Sequence, residues 1–162
     1  MSKLYVNDIY SKTGAAEAIN IDSNGRITTP ARPAFHVIRQ TSMSAAGTIT
    51  YETALFDIGS NVNLSTGEFT APITGIYVLN FTSLGPNLSV ATNIFSTING
   101  VASNSIFSAR PNAANNNENF TPLGSVTLPV QLDADDVFKL TTSAALYSDV
   151  NTWVRFSGYL LG

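Results

Sequence analysis

The chain contains no cysteine, which excludes disulfides, thiolate metal sites and cysteine nucleophiles together. Its fold must then be held by an apolar core or by oligomerisation. Histidine and tryptophan occur once each among 162 residues, and only 12% of the residues are charged. The eight Lys and Arg are scattered singly against eleven Asp and Glu, for a net charge of −3. No basic stripe is available to neutralise phosphates, so nucleic acid is excluded as an expected partner. No apolar run approaches the roughly 18 residues of a membrane helix, and Met1 to Asp8 lacks the apolar stretch of a secretory signal. Neither membrane insertion nor signal-dependent export is expected.

Hydrophobic residues make up 44% of the chain and aromatics 10%, the composition of an ordered protein with one main core. No helical periodicity survives more than about a turn. The most informative stretch is Ala54 to Phe81, two strands around a turn. Phe56, Phe69, Tyr77, Val78, Leu79 and Phe81 are strand formers, and Ser65-Thr66-Gly67 and Pro72 with Gly75 supply turn chemistry. Alternation puts Tyr77, Leu79 and Phe81 on one face. Further strands are expected over Ala34 to Arg39, Thr48 to Phe56, Gly67 to Ala71, Gly75 to Leu84, Thr92 to Ile98, Val101 to Ala109, Phe120 to Leu128, Val137 to Thr142 and Trp153 to Leu161. Short strands at close spacing imply an all-β sandwich, jelly roll or barrel.

The first 32 residues differ from the rest. Leu4, Val6 and Ile9 flank a polar Ser11-Lys12-Thr13-Gly14 turn, and Ala18 to Asp22 alternates as a strand before the hairpin signal Asn24-Gly25. This arm has too few apolar side chains for a core of its own. It must pack on the main domain, on copies of itself or on a larger assembly, and Leu4, Tyr5, Val6 and Ile9 are its candidate anchors. Pro30-Ala31-Arg32-Pro33 reads as a linker. The expected organisation is an attachment arm with linker over 1–32 and a β domain over 33–162.

Residues that could carry chemistry are few. His36 stands between Phe35 and Val37 without a nucleophile elbow, the setting of a packed or interfacial histidine. Glu52, Asp57 and Glu68 are the nearest candidates for a carboxylate pair, with nothing to pair them. Asp133-Ala134-Asp135-Asp136 has the oxygen ligands calcium takes, yet Asp136 sits where a turn before a strand favours Asp. Trp153 could stack on a sugar, but large aromatics more often fill cores and interfaces. No catalytic residue, cofactor or metal is expected. Asn87, Asn112, Asn115, Asn116 and Asn117 lie in polar segments that read as surface loops, and their amides suit carbohydrate hydroxyls.

Several blocks resemble the globular head domain of complement C1q, which shares the tumour-necrosis-factor-like jelly roll. They are Pro33-Ala34-Phe35, Phe56 to Asn61, Ser65 to Pro72, Gly75-Ile76-Tyr77 with Phe81, Gly124-Ser125-Val126 to Leu132, Asp136-Val137-Phe138 and Phe156 to Leu161. The resemblance covers Pro33 to Gly162. It implies a ten-stranded jelly-roll sandwich whose subunits form homotrimers through an apolar face. Phe35, Tyr77, Phe81, Trp153, Phe156 and Tyr159 are the residues expected in that core or trimer contact. Animal members usually follow a collagen stalk; here the arm stands in its place.

That arm resembles the N-terminal segment of virion proteins of marine and cyanobacterial bacteriophages. It implies a non-enzymatic viral structural protein, assembled in the host cytoplasm and located on the virion. The arm would bind phage capsid or tail proteins, and the knob would present loops to a host surface glycan as a tail-fibre tip, or decorate and stabilise the capsid. The alternative is a free-standing bacterial carbohydrate-binding or signalling protein of the same fold.

Overall fold

The computed structural model describes residues 8–10, 17–86, 92–109 and 120–161, and no helix occurs among them. The chain divides into two units, Met1–Arg32 and Pro33–Gly162.

In the first unit, strands β1 (Asp8–Tyr10), β2 (Glu17–Ile21) and β3 (Ile27–Thr28) form an antiparallel sheet in that order. Asn24-Gly25 does direct a hairpin, through a three-residue loop rather than a two-residue one. Ile21 pairs with Ile27, Asp22 N donates to Arg26 O at 3.0 Å so that Ser23-Asn24-Gly25 is the loop, Gly25 N donates to Asp22 O at 2.9 Å, and only Gly25 takes a positive φ, of 76°. The Asp22 carboxylate closes the loop by accepting from Asn24 N at 2.8 Å and Arg26 N at 2.9 Å. Arg26 Nε also donates to Asp22 Oδ2 at 2.6 Å, and the bonds from Arg26, backbone first and side chain second, hold the Asp22 carboxyl below its ordinary range. Asn99-Gly100 makes the tighter form: both residues have positive φ, 50° and 79°, between paired Ile98 and Val101, as a two-residue hairpin turn of type I′ requires.

The second unit is a sandwich. It comprises β4 (Ala34–Arg39), β5 (Gly47–Thr48), β6 (Thr53–Ile58), β7 (Val62–Asn63), β8 (Glu68–Thr70) and β9 (Gly75–Pro86). These are followed by β10 (Thr92–Ile98), β11 (Val101–Ala109), β12 (Phe120–Leu132), β13 (Val137–Thr142) and β14 (Val154–Leu160). One sheet runs β12-β9-β14-β4-β6 and the other β11-β10-β13-β8-β7, with the two-residue β5 pairing β13 off that path. This is the jelly roll: ten strands on two five-strand paths.

Period-two alternation fills the space between the sheets. Tyr77, Leu79 and Phe81 of β9 and Val154, Phe156 and Leu160 of β14 are all buried, and burial of each such side chain stabilises the fold by about 1.5–3 kcal/mol. Phe156 lies at the centre, with its ring edge-on to Phe35 at 4.9 Å and stacked on both Phe138 and Tyr51 at 5.9 Å. Gly158 completes the β14 pattern for a steric reason. A Cβ there would stand 2.5 Å from Leu79 Cδ2 and 2.8 Å from Phe35 Cε1, well inside contact distance.

Two strands depart furthest from their expected limits. The run Thr48 to Phe56 is split because the chain changes sheets within it. β5 pairs β13 in one sheet and β6 pairs β4 in the other, while Ile49 N donates to Leu140 O and Tyr51 N to Leu64 O. The crossing segment buries Ile49 and Tyr51. β12 continues past Leu128 to Leu132, through Pro129. It can do so because β12 ends its sheet, so the missing proline N–H breaks no ladder on the outer side.

The Tyr51 hydroxyl is buried without a hydrogen-bond partner among the described residues. Burial pushes its pKa well up, with the nearby Arg39 charge opposing. Removing an unpaired buried hydroxyl relieves a desolvation cost, so Tyr51→Phe is expected to hold or raise stability by up to about 1 kcal/mol. A fall in melting temperature of more than about 5 °C in thermal denaturation, the size a lost buried interaction produces, would contradict this.

Candidate functional site

On β9, Tyr77, Leu79 and Phe81 face the core, so Ile76, Val78 and Asn80 face the other way. Register carries this parity across the sheet. Ile76 is opposite Gln131, Val78 is flanked by Pro129 and Tyr159, and Asn80 by Thr127 and Ser157; Ser157 in turn meets His36, and His36 meets Phe56. The irregularity between His36 and Val37 skips Leu55 on β6 and sets Phe56 on this outward face.

The face has an apolar lower part and a polar upper part. Phe56, Tyr159 and Ile76 are 49%, 48% and 44% exposed, large apolar surface for one face of a soluble sandwich. A hollow of 480 Å³ lies among His36, Phe56, Val78, Asn80 and Tyr159. Above it, Asn80 Nδ2 donates to Thr127 Oγ1 at 2.8 Å, and Thr82 Oγ1 donates to Ser125 Oγ at 3.2 Å. The outward positions of β4, β9, β12 and β14 carry no acidic residue. Their cation is Arg155, whose Nε donates to Thr152 O at 2.6 Å and Nη2 to Asn151 O at 3.2 Å.

His36 meets the Phe56 ring edge-on at 6.1 Å. Desolvation, and secondarily the Arg155 charge, lower its pKa from the ordinary 6.5. The unfolded chain therefore takes up the proton first as pH falls. Stability present above about pH 6.5 should decline as pH drops through the folded-state value, and His36→Gln should flatten that decline. Urea denaturation of both proteins between pH 7.5 and about 5 checks this, and parallel curves would refute it.

The carboxylates are engaged separately. Glu52 accepts from Gln40 N and Thr41 Oγ1, Asp57 from Asn61 N at 3.0 Å and Val62 N at 2.9 Å, and Glu68 from Thr66 Oγ1 at 2.9 Å and Lys139 Nζ at 3.1 Å. None is hydrogen-bonded to another. Asp136 ties the turn before β13, accepting from Asp133 N at 2.8 Å and from Asn99 Nδ2 at 2.6 Å, while Asn99 Oδ1 accepts from Val137 N. A second, polar concavity of 740 Å³ is lined by Asn61, Asn63, Thr70 and Asp135. Its amides already serve local turns: Asn61 Nδ2 donates to Ile58 O, and Asn63 Oδ1 accepts from Ser65 and Thr66.

The structure separates the residues named from sequence. Phe35, Tyr77, Phe81 and Phe156 are core, and Tyr159 lies on the outward face. Trp153 is 43% exposed just before β14. Ile9 is an exposed residue of β1. Leu4, Tyr5, Val6, Asn87, Asn112, Asn115, Asn116 and Asn117 lie outside the described residues. Ile76, Phe56 and Ile58 were missed as face residues. The first was open to reading, since it alternates with Tyr77; the other two depended on the β6 irregularity.

Comparison with known proteins agrees with this architecture. A search of curated protein sequences finds no match. Among solved structures, the globular domain of zebrafish complement 1qA superposes with a TM-score of 0.60 at 18% identity, covering 81% of this chain and 98% of that one. Murine APRIL, in a crystal structure at pH 5.0, gives a TM-score of 0.61 at 12% identity, covering 80% of this chain and 99% of that one. At these identities the likeness speaks for the fold. The family model of the C1q domain matches residues 34–161, nearly the whole of the second unit, and the chain accordingly belongs to the C1q domain family.

Proposed function

We propose that the protein is a non-enzymatic structural component of a bacteriophage virion: a trimeric C1q-like knob, anchored to capsid or tail by its N-terminal arm and displaying its loops outward. The observation that carries this reading is the division of the chain into a knob with its own aromatic core and a separate small β arm. C1q-like domains are generally non-enzymatic and commonly form homotrimers. The outward face of the five-stranded sheet, with Phe56, Ile58, Ile76 and Tyr159 exposed, is the apolar surface such a trimer would bury. The arm would dock by strand addition at the edges of its sheet and through Leu4, Tyr5 and Val6. The loops containing Asn87 and Asn112 to Asn117 would face a host surface glycan or solvent.

The deciding experiment is the copy number and position of this protein on purified particles, by quantitative mass spectrometry against the major capsid protein together with particle imaging. Many copies over capsid faces or vertices mean decoration, and a few at the tail mean a receptor-binding tip. Recovery only as a soluble protein in culture medium, with none on particles, would overturn the virion reading in favour of a free-standing bacterial C1q-like protein.

A further inference from the structure

In the arm sheet, Ile9 pairs with Ile19 and Ile21 with Ile27, and Ile19 and Ile21 are two residues apart on β2. Directly paired residues share a face, and so do residues two apart on a strand. The four isoleucines therefore form one continuous apolar face, while Asn20 and Thr28, also directly paired, take the other. Ile27 is 68% exposed and Ile9 46%. Among the described residues of the arm the sheet has no second layer to cover such a face.

We infer that the isoleucine face of the arm is a self-association surface, on which the arms of three chains pack against one another. The inference rests on the trimer reading of the knob. Three features favour copies of this chain over a foreign partner. The tether from Thr29 to Pro33 is five residues and reaches about 17 Å at full extension, so three knobs assembled as one particle hold their arms close together. At that reach the effective concentration of one arm for another is in the millimolar range, enough for a weak apolar surface to close. Charge does not oppose it: Lys3, Lys12, Arg26 and Arg32 nearly balance Asp8, Glu17 and Asp22. Ile9 then becomes a packing residue between arms, leaving the strand edges and the polar face for attachment.

The absence of cysteine allows a direct test in the full chain, because Ile27→Cys introduces the molecule's one thiol. Its reaction with N-ethylmaleimide is expected to be at least about tenfold slower in the trimer than after dilution to monomer, while Thr28→Cys on the opposite face reacts at similar rates in both. In parallel, the double variant Ile9→Asn, Ile27→Asn should raise the concentration at which the trimer dissociates by about tenfold or more in native mass spectrometry, with the knob's circular dichroism unchanged. A trimer whose Ile27→Cys thiol reacts freely at every concentration overturns this inference alone. Protection that persists in the diluted monomer also overturns it, since the cover then comes from the same chain. A parent protein that is monomeric at micromolar concentration overturns the trimer reading itself.

Discussion

Gly67→Ala should cost the domain about 3–5 kcal/mol and lower its melting temperature by about 10 °C or more. Gly67 closes the loop between β7 and β8, where its N–H donates to Asn63 O at 2.8 Å and its φ is 69°. Alanine in that left-handed conformation costs about 1–2 kcal/mol by itself. The larger part is steric, because a Cβ would press directly into the backbone carbonyl of Ile49. That carbonyl has little room to retreat: Ile49 N is bonded to Leu140 O, Tyr51 N to Leu64 O, and both side chains are buried. Against a total stability of about 5–15 kcal/mol, such a loss leaves a marginal fold. Gly25→Ala is the control, since Gly25 has a similar φ of 76° but open space where its Cβ would stand. Thermal denaturation of both should show a large drop for Gly67→Ala and a small one for Gly25→Ala; equal shifts would remove the steric argument.

The two glycines also mark what the sequence could disclose. Asn24-Gly25, Asn99-Gly100 and Ser65-Thr66-Gly67 are visible as turns because turn chemistry is local: a residue tolerant of positive φ stands between alternating strands. For the same reason the limits of β4, β10, β11 and β13 fall where alternation and turn residues place them. The contact between Gly67 and Ile49 is different in kind. It exists because the chain crosses from one sheet to the other at Ile49 to Tyr51, and no local pattern announces a sheet change inside one continuous run of strand formers. The continuation of β12 through Pro129 is hidden in the same way, since an edge strand tolerates a proline that a central strand does not, and edge position belongs to the topology.

The outward face was half legible. Parity on β9 follows from Tyr77, Leu79 and Phe81 alone, so Ile76 and Val78 had to lie on the opposite side. Tyr159 alternates with Phe156 and Leu160 in the same way, and its exposure follows from their burial. Phe56 was not legible, because the irregularity opposite His36 resets the parity of β6. Trp153 shows the limit of arguing from size: an aromatic beside a core strand can lie at the surface.

Placing a carboxylate on that face should convert the proposed trimer to monomer without unfolding it. Ile76, Phe56, Ile58 and Tyr159 are each close to half exposed, so covering the remainder contributes about 1 kcal/mol per residue. Over three copies this amounts to on the order of 10 kcal/mol, the same size as the 4–15 kcal/mol cost of association, so the proposed trimer would depend on the whole apolar patch. Ile76→Asp or Tyr159→Asp removes one apolar contribution per chain and adds a charge. The sheet face offers no salt-bridge partner beside Ile76, and an unpaired charge buried in an interface costs about 3–5 kcal/mol. The fold itself should hold, because both side chains point away from the core. Sedimentation should give three times the chain mass for the parent protein and one chain mass, 17.2 kDa, for either variant, with unchanged circular dichroism. Val101→Glu, at an exposed position on the edge strand β11 of the other sheet, should leave the parent assembly intact. If Ile76→Asp and Tyr159→Asp both remained trimeric at micromolar concentration, the contact would have to lie elsewhere on the knob, and the apolar face would need another occupant.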